Sequence, residues 1–106
     1  MRELNEQEIR SQLNSQGTPL VLFLYTPLCG TCKVASRMLT VIEHLLPADT
    51  ISAANVNMIP NMVQEYQIRS IPALFILDAQ RSDPPDIRYR MGSVEELLDA
   101  IRSVLK

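Results

Sequence analysis

Two uninterrupted apolar runs, LVLFLY at residues 20–25 and IPALFIL at residues 71–77, constrain the fold of this chain most. A strand with one face in water alternates apolar and polar residues, and neither run does so. Both runs are also much shorter than the ~20 residues that a membrane-spanning helix needs. The first run therefore predicts a central strand of a sheet that is covered on both faces, and the second predicts another strand, with a proline near its start.

Helical patterns lie between the predicted strands. Asn5 and Glu8 have the spacing of a capping box, which predicts a helix start. The second helix has an apolar stripe that we expect to face the sheet: Val34, Met38, Val41, Ile42 and Leu45. Helices are predicted at residues 5–15, from Val34 to Pro47, from Pro60 and from Ser93, and further strands at residues 50–56 and 87–90, with a short leading strand at Leu4.

This alternation of strands and helices predicts an α/β fold with a mixed central β-sheet flanked by helices on both faces. Strands separated by a helix are expected to pair in parallel, and the last two strands to form an antiparallel edge. With 106 residues, the chain has the length of one domain, which we expect to span residues 1–106.

Composition narrows the possible functions. The net charge is −2, from 10 Lys and Arg against 12 Asp and Glu, and no basic cluster stands out. This balance argues against nucleic-acid binding and against attraction to an anionic membrane. The first residues, MRELNEQEIRSQL, lack the apolar segment of a signal peptide. We therefore expect a cytoplasmic protein.

The chain has two cysteines, Cys29 and Cys32, in the segment TPLCGTCK between a predicted strand and a predicted helix. In a reducing cytosol such a pair rarely serves as a structural bridge, and closing so small a loop stabilises little. The unpaired amides of a helix's first turn favour an anion, so we expect the pKa of the Cys29 thiol to lie below the ~8.5 of free cysteine. Cys32 follows one turn later, within disulfide reach.

This arrangement supports a two-step exchange. Cys29 attacks a partner's disulfide to form a mixed disulfide, and Cys32 then attacks Cys29 and releases the reduced partner. Gly30 is expected to allow a tight turn and a close approach of the partner. Lys33 adds a positive charge nearby, but on an exposed side chain its effect on the Cys29 thiolate should be modest.

Two other interpretations of the cysteines are weaker. A zinc site formed by Cys29, Cys32 and His44 lacks a fourth ligand, and His44 lies about 18 Å further along the same predicted helix. We therefore expect no metal. Free cysteines also occur as inert buried residues, but these two flank a glycine at a helix start, where thiol chemistry is favoured.

At these positions the sequence resembles the thioredoxin family. The matching segments are Cys29-Gly30-Thr31-Cys32-Lys33 after one apolar strand, Arg69-Ser70-Ile71-Pro72-Ala73-Leu74 before another, and Gly92 before the last helix. The resemblance spans Leu20 to Leu105 and implies the thioredoxin fold. It implies a monomeric protein-disulfide reductase without a cofactor, which receives electrons from a separate reductase or a small thiol.

The resemblance also implies the site residues. Cys29 and Cys32 would be catalytic, and Pro72 would be a cis-proline that faces them across a groove. The residues implied to bind the substrate are Gly30, Thr31, Ile71, Pro72, Ala73 and Gly92.

The sequence departs from the family pattern at several places. Leu28 replaces the usual Trp, which changes the shape of the groove. Thr31 replaces a Pro and adds a hydroxyl that favours the reduced form, so a more oxidising oxidase or isomerase remains an alternative. Phe23 and Ala53 replace a buried Asp and Lys. Without the Asp, Cys32 would lose its proton to water or to the departing thiolate, and we expect slower release of the partner.

These departures also leave open a non-catalytic interaction protein that keeps the fold. Tyr25 and Tyr66 are expected to pack with the core, and neither is assigned a role in proton transfer.

Overall fold

The computed structural model describes residues 1–105 and has the predicted order of elements. A single 3-10 turn at Val56–Met58, which the sequence pattern does not predict, precedes the third helix. The strands are β1 (Arg2–Glu3), β2 (Leu20–Tyr25), β3 (Ile51–Asn55), β4 (Ala73–Leu77) and β5 (Asp86–Arg88), and the helices are α1 (Glu6–Leu13), α2 (Gly30–Glu43), α3 (Pro60–Glu65) and α4 (Val94–Val104).

Side-chain caps set the helix starts. The Glu8 amide donates to the Asn5 side chain at 2.8 Å, and the Asn5 amide donates to the Glu8 carboxylate at 3.0 Å, so the predicted capping box is confirmed. Ser93 accepts a hydrogen bond from the Glu96 amide at 3.1 Å and so begins α4. No helix within residues 1–105 is long and apolar enough to cross a membrane.

The five strands form one mixed sheet in the order β1-β3-β2-β4-β5. β1 and β2 are parallel to β3, and β5 is antiparallel to β4, as predicted. The expectation of parallel pairing is wrong for β4, which runs antiparallel to β2. The helix before β4 has six residues, too few to carry the chain back along the sheet, so β4 begins at the end where β3 finishes.

The direction of β4 places its start beside the end of β2. Ala73 is level with Leu24, which is itself level with Ala54 near the end of β3. Pro72 immediately precedes Ala73, and residues 26–29 immediately follow β2. The antiparallel direction of β4 thus brings Pro72 and Cys29 to the same end of the two central strands.

The sheet is buried on both faces, as its non-alternating strands predict. Val21 and Phe23 of β2 point toward α2 and α4, whereas Leu20, Leu22 and Leu24 point toward α1 and α3. Two separate apolar clusters result, one on each face.

The predicted stripe of α2 is only partly correct. Ile42 is buried and Met38 is half-buried, but Val34, Val41 and Leu45 are 56%, 54% and 52% exposed. The buried face consists of Cys32, Ala35, Leu39 and Ile42, which repeat at helical spacing from the second cysteine. Packing of the small residues Cys32 and Ala35 against the sheet turns the larger valines toward solvent.

Candidate functional site

Cys29 and Cys32 form a disulfide at the start of α2, with their Cα atoms 5.2 Å apart. Cys29 is the N-cap residue of this helix, and its Sγ accepts a hydrogen bond from the Cys32 amide at 3.1 Å. Cys29 is partly exposed, whereas Cys32 is only 3% exposed. An approaching molecule therefore meets the Cys29 sulfur first.

The two residues between the cysteines differ in what they contribute. Thr31 Oγ1 lies 3.3 Å from Cys29 Sγ, within hydrogen-bonding distance for sulfur. Gly30 is the first residue of α2, does not have a positive φ, and has open space where a Cβ would stand. The backbone conformation at Gly30 therefore does not itself require glycine, and the open approach to the sulfur remains as a reason for glycine there.

The Ile71–Pro72 peptide bond is cis, in agreement with the family resemblance. Ile71 and Pro72 are half-buried, and Ile71 packs against the same apolar cluster as Cys29. The Ala73 side chain is fully buried on the opposite face of the sheet. Among these residues, Ala73 can therefore meet a substrate only through its backbone.

Gly92 lies just before the N-cap Ser93 of α4 and has a φ of +63°. A Cβ at this position would lie 2.9 Å from a Glu96 carboxylate oxygen. Glycine is the residue that adopts this left-handed conformation without a steric cost. The preceding residue, Met91, packs on the cluster that contains Cys32.

A solvent-open cavity of about 460 Å³ is lined by Cys32 together with exposed residues such as Pro27 and Lys33. Phe23 and Ala53, at the positions of the missing Asp and Lys, are among its lining residues. Tyr25 and Glu3 also line it, and the Tyr25 hydroxyl donates a hydrogen bond to Glu3 Oε1 at 2.7 Å. Burial, followed by the hydrogen bond and the charge of Glu3, raises the pKa of Tyr25 to about 12.

The prediction that Tyr25 packs in the core is only half correct. Its ring stacks on Phe23 with centroids 5.7 Å apart, but its hydroxyl reaches the cavity and Glu3. In the sequence, this contact could be suspected only from Glu3, a polar residue beside the predicted leading strand. The contact cannot be predicted until the pairing of β1 is known.

The structure places the candidate zinc ligands far apart. Cys29 caps the beginning of α2 and His44 caps its end. Within residues 1–105, no group of three or more metal-binding side chains comes together.

A partly exposed sulfur that caps a helix and a buried sulfur bonded to it together define the chemistry of thiol–disulfide exchange. The protein class is therefore that of the thiol–disulfide oxidoreductases. The sequence profile described as Thioredoxin matches residues 1–102, and the chain belongs to the thioredoxin family.

Relatives support this assignment. The chain is 41% identical over 102 residues to the thioredoxin-like protein YusE of Bacillus subtilis (strain 168), a match that covers 96% of this chain and 92% of that protein. The structure is similar to the crystal structure of chloroplastic thioredoxin z, with a TM-score of 0.82, 13% identity and coverage of 99% and 94% of the two chains. It is also similar to a mutant thioredoxin from Halobacterium salinarum NRC-1, with a TM-score of 0.78, 14% identity and coverage of 99% and 90%. At these identities the structural matches bear on the fold alone.

Proposed function

We propose that the protein is a protein-disulfide reductase that works in the cytoplasm as a monomer. Cys29 is the nucleophile, Cys32 resolves the intermediate, and a separate reductase or a small thiol returns the electrons. The observation that carries this proposal is the difference between the two sulfurs: Cys29 is accessible and accepts an amide hydrogen bond, whereas Cys32 is buried behind it.

The reaction follows from this difference. The Cys29 thiolate attacks one sulfur of the substrate disulfide, so a Cys29–substrate bond forms and the second substrate sulfur leaves as a thiolate. Cys32 loses its proton and attacks Cys29, and the first substrate sulfur leaves. The substrate gains two electrons and two protons, and the Cys29–Cys32 disulfide is formed.

The surroundings of Cys29 suit an extended segment of a protein substrate. Leu28, directly before Cys29, is 97% exposed and offers an apolar contact. Ile71 and Pro72 lie at the same end of the central strands, and we expect the main chain there to pair with an extended substrate segment. Gly30, Thr31 and Gly92 complete the proposed docking surface, to which Ala73 contributes only its main chain.

Insulin reduction tests the proposal. With a thiol reductant as electron source, the wild type should accelerate the cleavage of the insulin disulfides and Cys29→Ser should be inactive. Cys32→Ser should accumulate a mixed disulfide through Cys29, which trapping in cells would identify. Equal rates for the wild type and Cys29→Ser would instead support the non-catalytic alternative.

The Thr31 hydroxyl favours a second candidate, an oxidase or isomerase. A hydroxyl 3.3 Å from Cys29 Sγ stabilises a thiolate there, and stabilising the reduced form makes the couple more oxidising. A redox titration separates the candidates, because thioredoxin lies near about −270 mV and oxidising members lie above about −200 mV. Thr31→Val removes the hydroxyl while keeping the shape and the amide, so its potential should be lower than that of the wild type.

A further inference from the structure

Cys32 must lose a proton before it can attack Cys29. Its thiol is 3% exposed, and its neighbours in the core are apolar. Bulk water has little access to it from the groove, because Cys29 covers that side. The solvent-open cavity that Cys32 lines together with Glu3 is the other route by which a proton can leave.

The strand register places a carboxylate in this cavity. Phe23, Ala53 and Glu3 are level with one another on β2, β3 and β1, and Phe23 and Ala53 face α2. The side chain of Glu3 continues this row at the sheet edge and lines the cavity together with Cys32. Because Ala53 is small, the Tyr25 side chain passes over β3 and reaches Glu3.

The cavity holds few groups that can exchange a proton. Among the described residues, the titratable ones that line it besides Cys32 are Glu3, Tyr25, Lys33 and Met1, whose amino group pairs with Glu43 at 3.0 Å. An ammonium group has no lone pair with which to accept a proton. Tyr25, whose pKa is raised to about 12, keeps its proton near neutral pH and donates it to Glu3. The Glu3 carboxylate is the remaining acceptor.

We propose that Glu3 accepts the proton of Cys32 across this cavity and that Tyr25 is the positioning residue that holds Glu3 in place. This inference rests on the proposed function, in which Cys32 resolves the mixed disulfide. Phe23 and Ala53, which replace the buried Asp and Lys of the family pattern, have no group that can accept this proton. The inference assigns that role to Glu3 of β1. The cavity, at about 460 Å³, has room for solvent to carry the proton between the two groups.

The step balances as follows. The Cys32 proton passes through solvent to the Glu3 carboxylate, and the Cys32 thiolate attacks Cys29 Sγ. The Cys29–Cys32 bond forms as the bond from Cys29 to the substrate sulfur breaks. That sulfur leaves with the bonding electron pair and takes up a proton from solvent, and Glu3 releases its proton to solvent before the next cycle.

A chromogenic aromatic disulfide that releases one coloured thiolate at each step separates the two attacks. The first release, by Cys29, depends on reagent concentration, and the second, by Cys32, does not. Free cysteine is only about 3% ionised near pH 7, so loss of an efficient acceptor can slow the second release by roughly 30-fold for a thiol of ordinary acidity. Glu3→Gln keeps an oxygen for the Tyr25 hydroxyl and should slow the second release by about tenfold at that pH.

The pH profile distinguishes proton transfer from a structural effect. The rates of Glu3→Gln and the wild type should converge above about pH 9, where the thiol ionises without help. Glu3→Asp should recover part of the rate, Tyr25→Phe should show a smaller loss than Glu3→Gln, and the exposed control Glu95→Gln should behave as the wild type.

Each result has a definite meaning. An unchanged second release in Glu3→Gln, or a slowing that is equal at every pH, would overturn the role of Glu3 and leave the proposed function intact. A wild type that shows a first release without a second would overturn the resolving role of Cys32 and the inference together. Slowing of the second release at neutral pH alone, with an unchanged first release, is the expected outcome.

Discussion

Arg81 joins three segments at the end of the sheet opposite the cysteines. Its guanidinium donates to the carbonyl oxygens of Gln12 at 2.7 Å, Ser15 at 2.8 Å and Thr18 at 2.9 Å, and also to that of Asp78. The first two carbonyls lie in the last turn of α1 and just beyond it. We predict that Arg81→Met destabilises the protein strongly and leaves disulfide exchange unchanged.

The size of the loss in unfolding free energy depends on which of these carbonyl oxygens can form a hydrogen bond with water once Arg81 is removed. The bonds to Ser15 and Thr18 are exposed, so solvent replaces them at little cost. The bonds to Gln12 and Asp78 are partly buried. Both carbonyl oxygens also accept a backbone amide at 3.2 Å, so neither is left without a partner, but each loses a hydrogen bond from a charged donor that contributes about 1.5–3 kcal/mol. The buried Nε of Arg81 has no hydrogen-bond partner and destabilises the wild type, so removing it offsets part of the loss. We therefore expect the free energy of unfolding to fall by about 2–4 kcal/mol in Arg81→Met. The melting temperature should fall by about 10–20 °C.

Urea unfolding followed by circular dichroism measures this loss. Arg88→Met is the matched control, because Arg88 pairs with an exposed Asp86 at 3.0 Å and should lose no more than about 1 kcal/mol. Arg81→Lys keeps the charge but not the planar fork, so it should recover less than half of the loss. A loss below about 1 kcal/mol in Arg81→Met would refute the reasoning, and full recovery by Arg81→Lys would show that charge alone matters.

Three further predictions concern other parts of the molecule. Gly30→Ala should raise the free energy of unfolding by up to about 1 kcal/mol and leave the reaction with a small disulfide unchanged, while slowing insulin reduction; equal effects on both substrates would contradict a docking role. Glu6→Ala should cost about 1–2 kcal/mol in urea unfolding, because its carboxylate accepts the Met62 amide at 2.7 Å at the start of α3. The raised pKa of Tyr25 adds stability that is present below pH 10 and lost as the pH rises toward about 12, so unfolding measured across this range should depend less on pH in Tyr25→Phe.

Much of the fold is legible in the sequence because single segments determine it. The run at residues 20–25 is apolar apart from the hydroxyl of Tyr25, which favours a strand covered on both faces, and β2 has those bounds. Asn5 and Glu8 satisfy each other within one turn, so the start of α1 needs no information from elsewhere. The two cysteines are equally local, since their spacing and their position at a helix start already indicate the chemistry.

The features that escaped prediction all depend on distant packing. The direction of β4 follows from how far α3 carries the chain, which its composition does not reveal. The orientation of α2 depends on Cys32 and Ala35 packing against the sheet. The sequence pattern instead favours Val34 and Val41, which are larger apolar residues at helical spacing. The contact of Glu3 with Tyr25 requires the pairing of β1 with β3, 50 residues away at Arg2 and Ser52.

Because β4 comes from a distant part of the chain and pairs antiparallel with β2, the two sides of the groove form in different ways. Cys29 and Cys32 are three positions apart in the chain, so the short loop between them closes with little help from the rest of the fold. Pro72 reaches them only when the sheet has assembled. On gentle heating, the molecule should therefore stop distinguishing a protein client from an arbitrary disulfide before its thiols lose their reactivity.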